Sequence, residues 1–409
     1  MTHPVSRWTA LERVTNARDT LFDTLPREEV GPERIGGRVL AEPVVAPADV
    51  PPRDHATMDG FAFNTDDAYP LRLVGEVGAE DDPPAMESGE AVRIATGAPL
   101  PARADAVLER ERAITDDSDS DDGKARETTL DGPTVEPGRN VFRRGTTATA
   151  DETVIPEGER LSAPDAGLLA DLGLETVSVL ERLSVRVLGT GTELVEDRQP
   201  DRDSPMLATL VQSWGHDPHV VDPVPDDPEA VRDVIERHAT AADVILTSGG
   251  TGGGARDHVR RALADHGDIV VDGIDVRPGS HVRVATLDDY DAVAVALPGK
   301  PVAAFLGAVS ACRALLTGET AAPTEDGFLA CDLELPEHDT EYVVPIERRG
   351  DRVVPLGHAD SSVPIYGERF SPRILADCAR VLRMDGYLCV RTALNSGESV
   401  RFVPTEVVT

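Results

Sequence analysis

The sequence predicts an α/β plus β fold spread over several domains, and three observations carry that prediction. Between residues 181 and 320, short apolar runs alternate with helical stretches, the pattern of a doubly wound sheet with parallel strands. Residues 46–136 and 321–409 instead hold short extended runs separated by turn residues, which predicts two small β units. At 409 residues the chain is longer than one hydrophobic core usually serves.

The elements follow in order. Residues 8–24 place Leu11, Val14, Ala17, Leu21 and Phe22 at spacings of three and four, which predicts an amphipathic helix. The proline-rich stretch from Pro43 to Pro52 then bars helix. Leu71–Val77, Ala91–Ala95 and Ala106–Glu111 read as strands of a small β-rich domain over 46–136, with the acidic run Asp116–Asp122 at its tip. A helix from Ala163 to Leu172 is entered through Ser162 and Pro164, a capping residue and a first-turn proline. Neither this segment nor residues 1–45 is large enough to fold alone. The two are expected to pack together as one discontinuous domain, 1–45 with 137–180.

In the 181–320 domain the expected strands are Ser184–Leu188, Pro218–Asp222, Asp243–Thr247, Ile269–Val271 and Ala292–Leu297. Helices are expected near Pro205–Trp214, Asp227–His238, Asp257–Asp265 and Val302–Leu316. Beyond Pro323 strands return, with turn signals at Arg349-Gly350-Asp351 and Asn395-Ser-Gly397. A C-terminal β-barrel or sandwich over 321–409 is the expectation.

Composition narrows the function. The chain carries 74 acidic and 40 basic side chains, a formal charge of −34, so it is not expected to bind nucleic acid. Only Lys124 and Lys300 are lysines. Short carboxylates without lysine stems keep a surface hydrated in concentrated salt, which predicts a salt-adapted host. The cysteines Cys312, Cys331, Cys378 and Cys389 fit no zinc spacing and are expected to be reduced thiols. With no apolar leader and no apolar run of membrane-spanning length, a cytoplasmic protein is expected.

Two loops carry the chemistry. After the strand Asp243–Thr247 the chain reads Ser248-Gly249-Gly250-Thr251-Gly252-Gly253-Gly254-Ala-Arg-Asp257 and then enters a helix. Glycine admits positive φ and lets N–H groups approach an anion, and the helix start adds its positive dipole end, so a phosphate site is the natural use. A flexible turn is the bland alternative, although a turn needs one or two glycines and this loop has five within six residues. The second loop, Leu188-Gly-Thr-Gly-Thr-Glu193, also follows a strand, where ligands of α/β sheets gather. Glu193 with Asp226 or Asp227 suggests magnesium, which takes carboxylate and phosphate oxygens together. Each acid alone could be a solvated carboxylate, and Asp226 or Asp227 could simply cap the next helix.

Met58-Asp59-Gly60-Phe-Ala, Ala95-Thr96-Gly97-Ala98-Pro-Leu-Pro101, the Gly138–Gly145 segment, the Glu193 loop, the glycine loop and Leu297-Pro298-Gly299-Lys300-Pro301 occur in one order over residues 10–318. Together they resemble the molybdopterin molybdenumtransferase family, the MoeA type to which the gephyrin E domain also belongs. The resemblance implies a homodimer in which a molybdopterin-binding α/β domain faces the small β domain of the other subunit. It also implies magnesium-dependent insertion of molybdate into adenylylated molybdopterin with release of AMP. Implied partners are a molybdopterin adenylyltransferase and acceptor molybdoenzymes.

By the same resemblance Asp59, Thr96, Glu193 and Asp257 are the catalytic candidates, and Glu193, Asp226 and Asp257 the metal ligands. Residues Ser248 to Gly254, Pro298, Gly299, Lys300, Arg277 and Ser361 are the substrate-binding candidates. The sequence departs from the family pattern at the glycine loop, which is more like that of the related adenylyltransferases. It departs again at Gly273 and Arg277, where lysines are usual, at Pro205 in Asp203-Ser204-Pro205, at Lys300, and at Val344, near the usual place of an arginine. Lys300 is expected to replace the lysine lost at Gly273. Adenylyl transfer to molybdopterin and a non-catalytic pterin-binding scaffold are the alternative functions.

The charge balance generates a test. As the Debye length shortens from ~10 Å at 0.1 M salt to ~3 Å at 1 M, repulsion among the carboxylates weakens, so the melting temperature should rise along a salt titration. A fall would contradict the salt-adapted reading.

Overall fold

The structure, a computed structural model, describes residues 4–116, 128–251 and 257–409. Most of the acidic run, with Lys124, and Gly252, Gly253 and Gly254 lie outside the described residues. The chain forms two compact units, one of residues 1–28 with 180–409 and one of residues 29–179.

In the first unit a six-stranded sheet has the order Asp217–Val220, Ser184–Gly189, Val244–Ser248, Ala292–Leu297, Arg283–Leu287, Asp268–Asp272. The first four strands are parallel, as expected. Arg283–Leu287 runs antiparallel to both of its neighbours, so the sheet is mixed. Sequence reading missed this strand because it follows Asp268–Asp272 without a helix between them. Helices Pro228–Ala239 and His258–His266 pack together over one cluster of buried side chains, including Val231, Ile235, Val259, Leu263 and the strand residues Ile245 and Ala294. Helices Arg7–Phe22, Asp203–Ser213 and Pro301–Thr317 form the other layer. Pro301–Thr317 is buried almost all round, as its continuous apolar sequence requires.

The N-terminal helix has the predicted buried face, with Leu11, Val14, Ala17, Leu21 and Phe22 inside. It packs on Pro301–Thr317 and Asp268–Asp272. That corrects the expected packing with Ala163–Asp171: the apolar stripe finds its complement on a helix some three hundred residues later. Beyond the sheet, strands Glu325–Leu329, Glu341–Arg349, Arg352–Pro355, Gly386–Val390 and Ser399–Pro404 close into a five-stranded barrel. Tyr342, Val344, Leu388 and Phe402 are buried there. The Trp214 indole N–H donates to the Val408 carbonyl at 2.9 Å, tying the chain end to the α/β layers. Among the described residues no helix is long and apolar enough to cross a membrane.

In the second unit a six-stranded sheet has the order Ala106–Glu109, Gly60–Phe63, Glu90–Ile94, Leu71–Val77, Thr129–Asp131, Ile114–Asp116, antiparallel except where Leu71–Val77 meets Glu90–Ile94. Helix Ala163–Asp171 opens on a capping box, in which the Ser162 N–H and hydroxyl both donate to the Asp165 carboxylate at 2.6 Å. It covers a core that includes Ile35, Leu40, Leu161 and Val179.

Gly267 shows how tightly the reversed strand is fitted, since a Cβ there would lie 1.9 Å from the Thr286 carbonyl oxygen. Gly267→Ala should therefore destabilise the chain by about 1–3 kcal/mol, read as a lower denaturation midpoint in high salt. An unchanged midpoint would show that the edge strand gives way freely.

Candidate active site

The crevice begins with strand register. Gly189 lies beside Ser248, and Ser248 beside Leu297, so three parallel strands end at one level. The loops after them start locked to one another: the Thr190 N–H donates to Ser248 O at 2.8 Å and the Gly249 N–H to Leu297 O at 3.1 Å. Gly249 and Gly250 take φ of 95° and 63°, open to glycine at little cost. A Cβ on Gly249 would stand 2.5 Å from the Thr190 carbonyl oxygen, and one on Gly299 would stand 2.9 Å from Gly249 Cα.

Between these loops lies a crevice of about 390 Å³, lined by Gly189, Thr190, Glu193, Asp201, Arg202, Asp203, Asp226, Ser248, Gly249, Gly250, Thr251, Gly299 and Lys300 among others. The structure thus brings Glu193, Asp226, Ser248, Gly249, Gly250, Thr251, Gly299 and Lys300 together, as expected. Glu193 and Asp226 have no basic partner among the described residues, and the Thr192 hydroxyl ties their loops by accepting the Asp226 N–H at 3.1 Å. Both carboxylates line the polar crevice, and carboxylate oxygens are the donors that a hard divalent cation takes. Asp227, not Asp226, caps the following helix, accepting the N–H groups of Glu229 and Ala230 at 3.1 and 2.9 Å.

Other expected residues are placed differently. Asp257 is only 5% exposed and caps His258–His266, with Oδ1 accepting the Arg260 N–H at 3.1 Å and Oδ2 paired with Arg283 at 2.7 Å. Both oxygens are engaged, so its surroundings suit an anchor better than a metal ligand. The Pro298 carbonyl oxygen stands 3.3 Å from the Ser248 hydroxyl oxygen. Lys300 lines the crevice, yet its ammonium binds the Asp377 carboxylate at 2.6 Å and the Arg373 carbonyl at 3.2 Å. Its charge is already countered, which weakens its expected use as a point charge for an anion. Arg277 is exposed on the two-residue strand Val276–Arg277 that pairs with Glu341–Arg349. Ser361 is buried in a barrel turn, accepting the Gly357 N–H at 3.1 Å and donating to His358 O at 2.8 Å. That is a turn-holding role. In the second unit Asp59 and Thr96 form a pair, the Thr96 N–H and hydroxyl both donating to Asp59 Oδ1 at 2.8 Å. These two bonds hold the Asp59 carboxyl below its ordinary pKa.

Sequence reasoning passed over Thr192, Asp203 and Arg283. Asp203 is buried, accepts the Ser248 hydroxyl at 2.6 Å, and has its pKa raised by that burial. Its one sequence signal was its place in Asp203-Ser204-Pro205. Arg283 had none, because its partners are far away in sequence. In the barrel Cys331, His358 and Asp360 hold ligand atoms within 4.8 Å of one another. There, however, the Asp360 N–H already donates to His358 Nδ1 at 3.1 Å.

Fold and crevice define a multidomain protein built around an α/β domain whose strand ends frame a polar crevice. Residues 186–317 match a probable molybdopterin binding domain, and residues 7–173 match the MoeA N-terminal region, domains I and II. A molybdopterin molybdenumtransferase 2 of Mycobacterium tuberculosis is 33% identical over 292 residues, 66% of this chain and 69% of the relative. A molybdopterin molybdenumtransferase of Nostoc sp. is 29% identical over 328 residues, 74% and 73% of the two chains. The solved structure of a Pyrococcus horikoshii molybdopterin biosynthesis MoeA protein superposes with a TM-score of 0.71 at 25% identity, covering 98% of this chain and 99% of the other. The chain belongs to the MoeA family of molybdopterin molybdenumtransferases, transferases of molybdenum cofactor biosynthesis.

The contact between Gly299 and Gly249 generates a prediction. A methyl group at Gly299 forces the two loops apart, so Gly299→Ala should weaken binding of AMP or pyrophosphate roughly tenfold, about 1.4 kcal/mol, as read by calorimetry. Unchanged binding would mean that this approach does not shape the ligand site.

Proposed function

We propose that the chain inserts molybdate into adenylylated molybdopterin, with magnesium assisting and AMP leaving. The observation that carries this reading is the crevice itself, in which the backbone of Ser248–Thr251 stands at the same strand ends as the Glu193 and Asp226 carboxylates. The peptide N–H groups and glycine turns suit the pyrophosphate oxygens, which bring negative charge without needing side-chain cations. Glu193 and Asp226 would hold magnesium, which supplies charge neutralisation at those oxygens. Asp203, holding the Ser248 hydroxyl, keeps the first residue of the loop oriented.

In this proposal the protein works as a homodimer, and the small β-rich domain of a second copy brings Asp59 and Thr96 to the reaction. Their mutual hydrogen bonds support that use: the carboxylate is ionised and fixed in direction before any ligand arrives. A four-part division follows, 29–45 with 137–179, 46–136, 180–320 and 321–409, with residues 1–28 belonging to the α/β layers. The protein would act in the cytoplasm of a salt-adapted cell, receiving adenylylated molybdopterin from an adenylyltransferase and passing its product to acceptor molybdoenzymes. Adenylyl transfer by this chain itself and a purely scaffolding role are not favoured, since the relatives above are named as molybdenumtransferases.

The test is AMP release in high salt from adenylylated molybdopterin with magnesium and molybdate. Release that depends on molybdate is the expected result, and ATP-dependent adenylylation of free molybdopterin would contradict it. Glu193→Gln and Asp226→Asn should each raise the magnesium needed for half-maximal release by on the order of tenfold, the scale of one lost charge-assisted contact. If both keep the wild-type magnesium dependence, the metal is held elsewhere.

A further inference from the structure

The residues on either side of 252–256, Thr251 and Asp257, are joined by one side chain. Arg283 lies on the reversed strand and is 7% exposed. Its Nη1 donates to the Thr251 carbonyl at 3.3 Å, its Nη2 pairs with Asp257 Oδ2 at 2.7 Å, and its Nε donates to Asp272 Oδ1 at 3.0 Å. Asp272 is in turn gripped by Arg260, through Nε at 3.0 Å and Nη2 at 2.8 Å to Oδ2. The Arg260 N–H closes the circuit on Asp257 Oδ1 at 3.1 Å.

A guanidinium keeps its proton in proteins, so a buried arginine persists only where carboxylates and carbonyls meet its donors. Here three nitrogens of one planar group point to three different acceptors. Because the group is rigid, the separation between the Thr251 carbonyl and the Asp257 carboxylate is set by the arginine. A lysine ammonium, being compact and on a flexible stem, could satisfy the charge without fixing that span. Thr251 lines the crevice directly after the two glycines that turn its backbone.

We infer that Arg283 is a positioning residue for the crevice: it fixes Thr251 relative to Asp257, so that the backbone from Ser248 to Thr251 is held ready for the anionic end of the substrate. Asp257 then serves as the far anchor of this staple. The inference rests on the proposed use of the crevice for a pyrophosphate.

The experiment uses the full chain in high salt, with Arg283→Lys and Arg283→Ala. Inorganic pyrophosphate is titrated by calorimetry, and hydrogen exchange is followed on the peptides carrying Thr251 and Asp257. Arg283→Ala should raise the pyrophosphate Kd by about tenfold to a hundredfold, the range for losing hydrogen bonds to charged groups. Millimolar guanidinium should restore binding to that variant and not to Arg283→Lys, a response that a general loss of stability would not give. Should Arg283→Ala fail to fold, Arg283→Lys carries the test, with exchange faster in those peptides and unchanged in the barrel strands. A wild-type Kd in a variant that only melts earlier overturns the inference. If the wild-type chain binds no pyrophosphate, the crevice reading falls, and exchange decides on Arg283 by itself: unchanged rates at Thr251 and Asp257 in Arg283→Lys overturn it.

Discussion

The site depends on one constraint, the level at which three parallel strands stop. Because Gly189, Ser248 and Leu297 are neighbours in register, the loops that follow emerge side by side, and the first peptide groups beyond the ladder still bond across it. A slip of one residue in any strand would turn its side chains to the opposite layer and carry its loop out of line. Layer packing therefore protects the crevice indirectly. The almost wholly buried helix Pro301–Thr317, flanked in its layer by the N-terminal helix and by Asp203–Ser213, packs on the strand Ala292–Leu297 from which the Pro298–Lys300 turn springs.

Charge is handled in opposite ways at the surface and inside. Over the whole sequence acidic side chains outnumber basic ones, 74 to 40, so most surface carboxylates cannot each have a cation of their own and rely on water and dissolved ions. Inside, every strongly buried charge described around the glycine loop has a counter-charge or a hydroxyl: Arg283 with Asp257 and Asp272, Asp203 with Ser248. Breaking such a pair costs about 3–5 kcal/mol, because the remaining charge stays buried. Glu193 and Asp226 stand apart from both groups, since they line a crevice without a cationic partner among the described residues. Carboxylates left open in a cleft are the ones available to a cation.

The sequence was most legible where local physics decides structure. Each expected helix lies within about two residues of its place, because the apolar faces, Ser162, Asp227 and the prolines act over a single turn. That the glycine loop and the Glu193 loop meet at one crevice was readable because both follow short apolar strands of one sheet. What the sequence concealed were relations across distance. The hairpin-like return of Arg283–Leu287 has no periodicity that separates it from the neighbouring strands, so a mixed sheet looked parallel. The partner of the N-terminal stripe could not be chosen from the stripe alone. Ser361 and Asp257 were recognisable by motif, yet whether their oxygens face a ligand or the backbone is decided by residues that only the fold brings near.

The central claim is that the strand-end crevice holds the anionic end of the substrate. Hydrogen exchange of the whole chain with and without saturating AMP tests it most directly, because each backbone segment reports separately. The account predicts slower exchange in the segments carrying Thr190–Glu193, Ser248–Thr251 and Pro298–Lys300, with the barrel turn at Gly357–Ser361 unaffected. Protection confined to the barrel turn, or to none of the three strand-end segments while AMP is demonstrably bound, would contradict it.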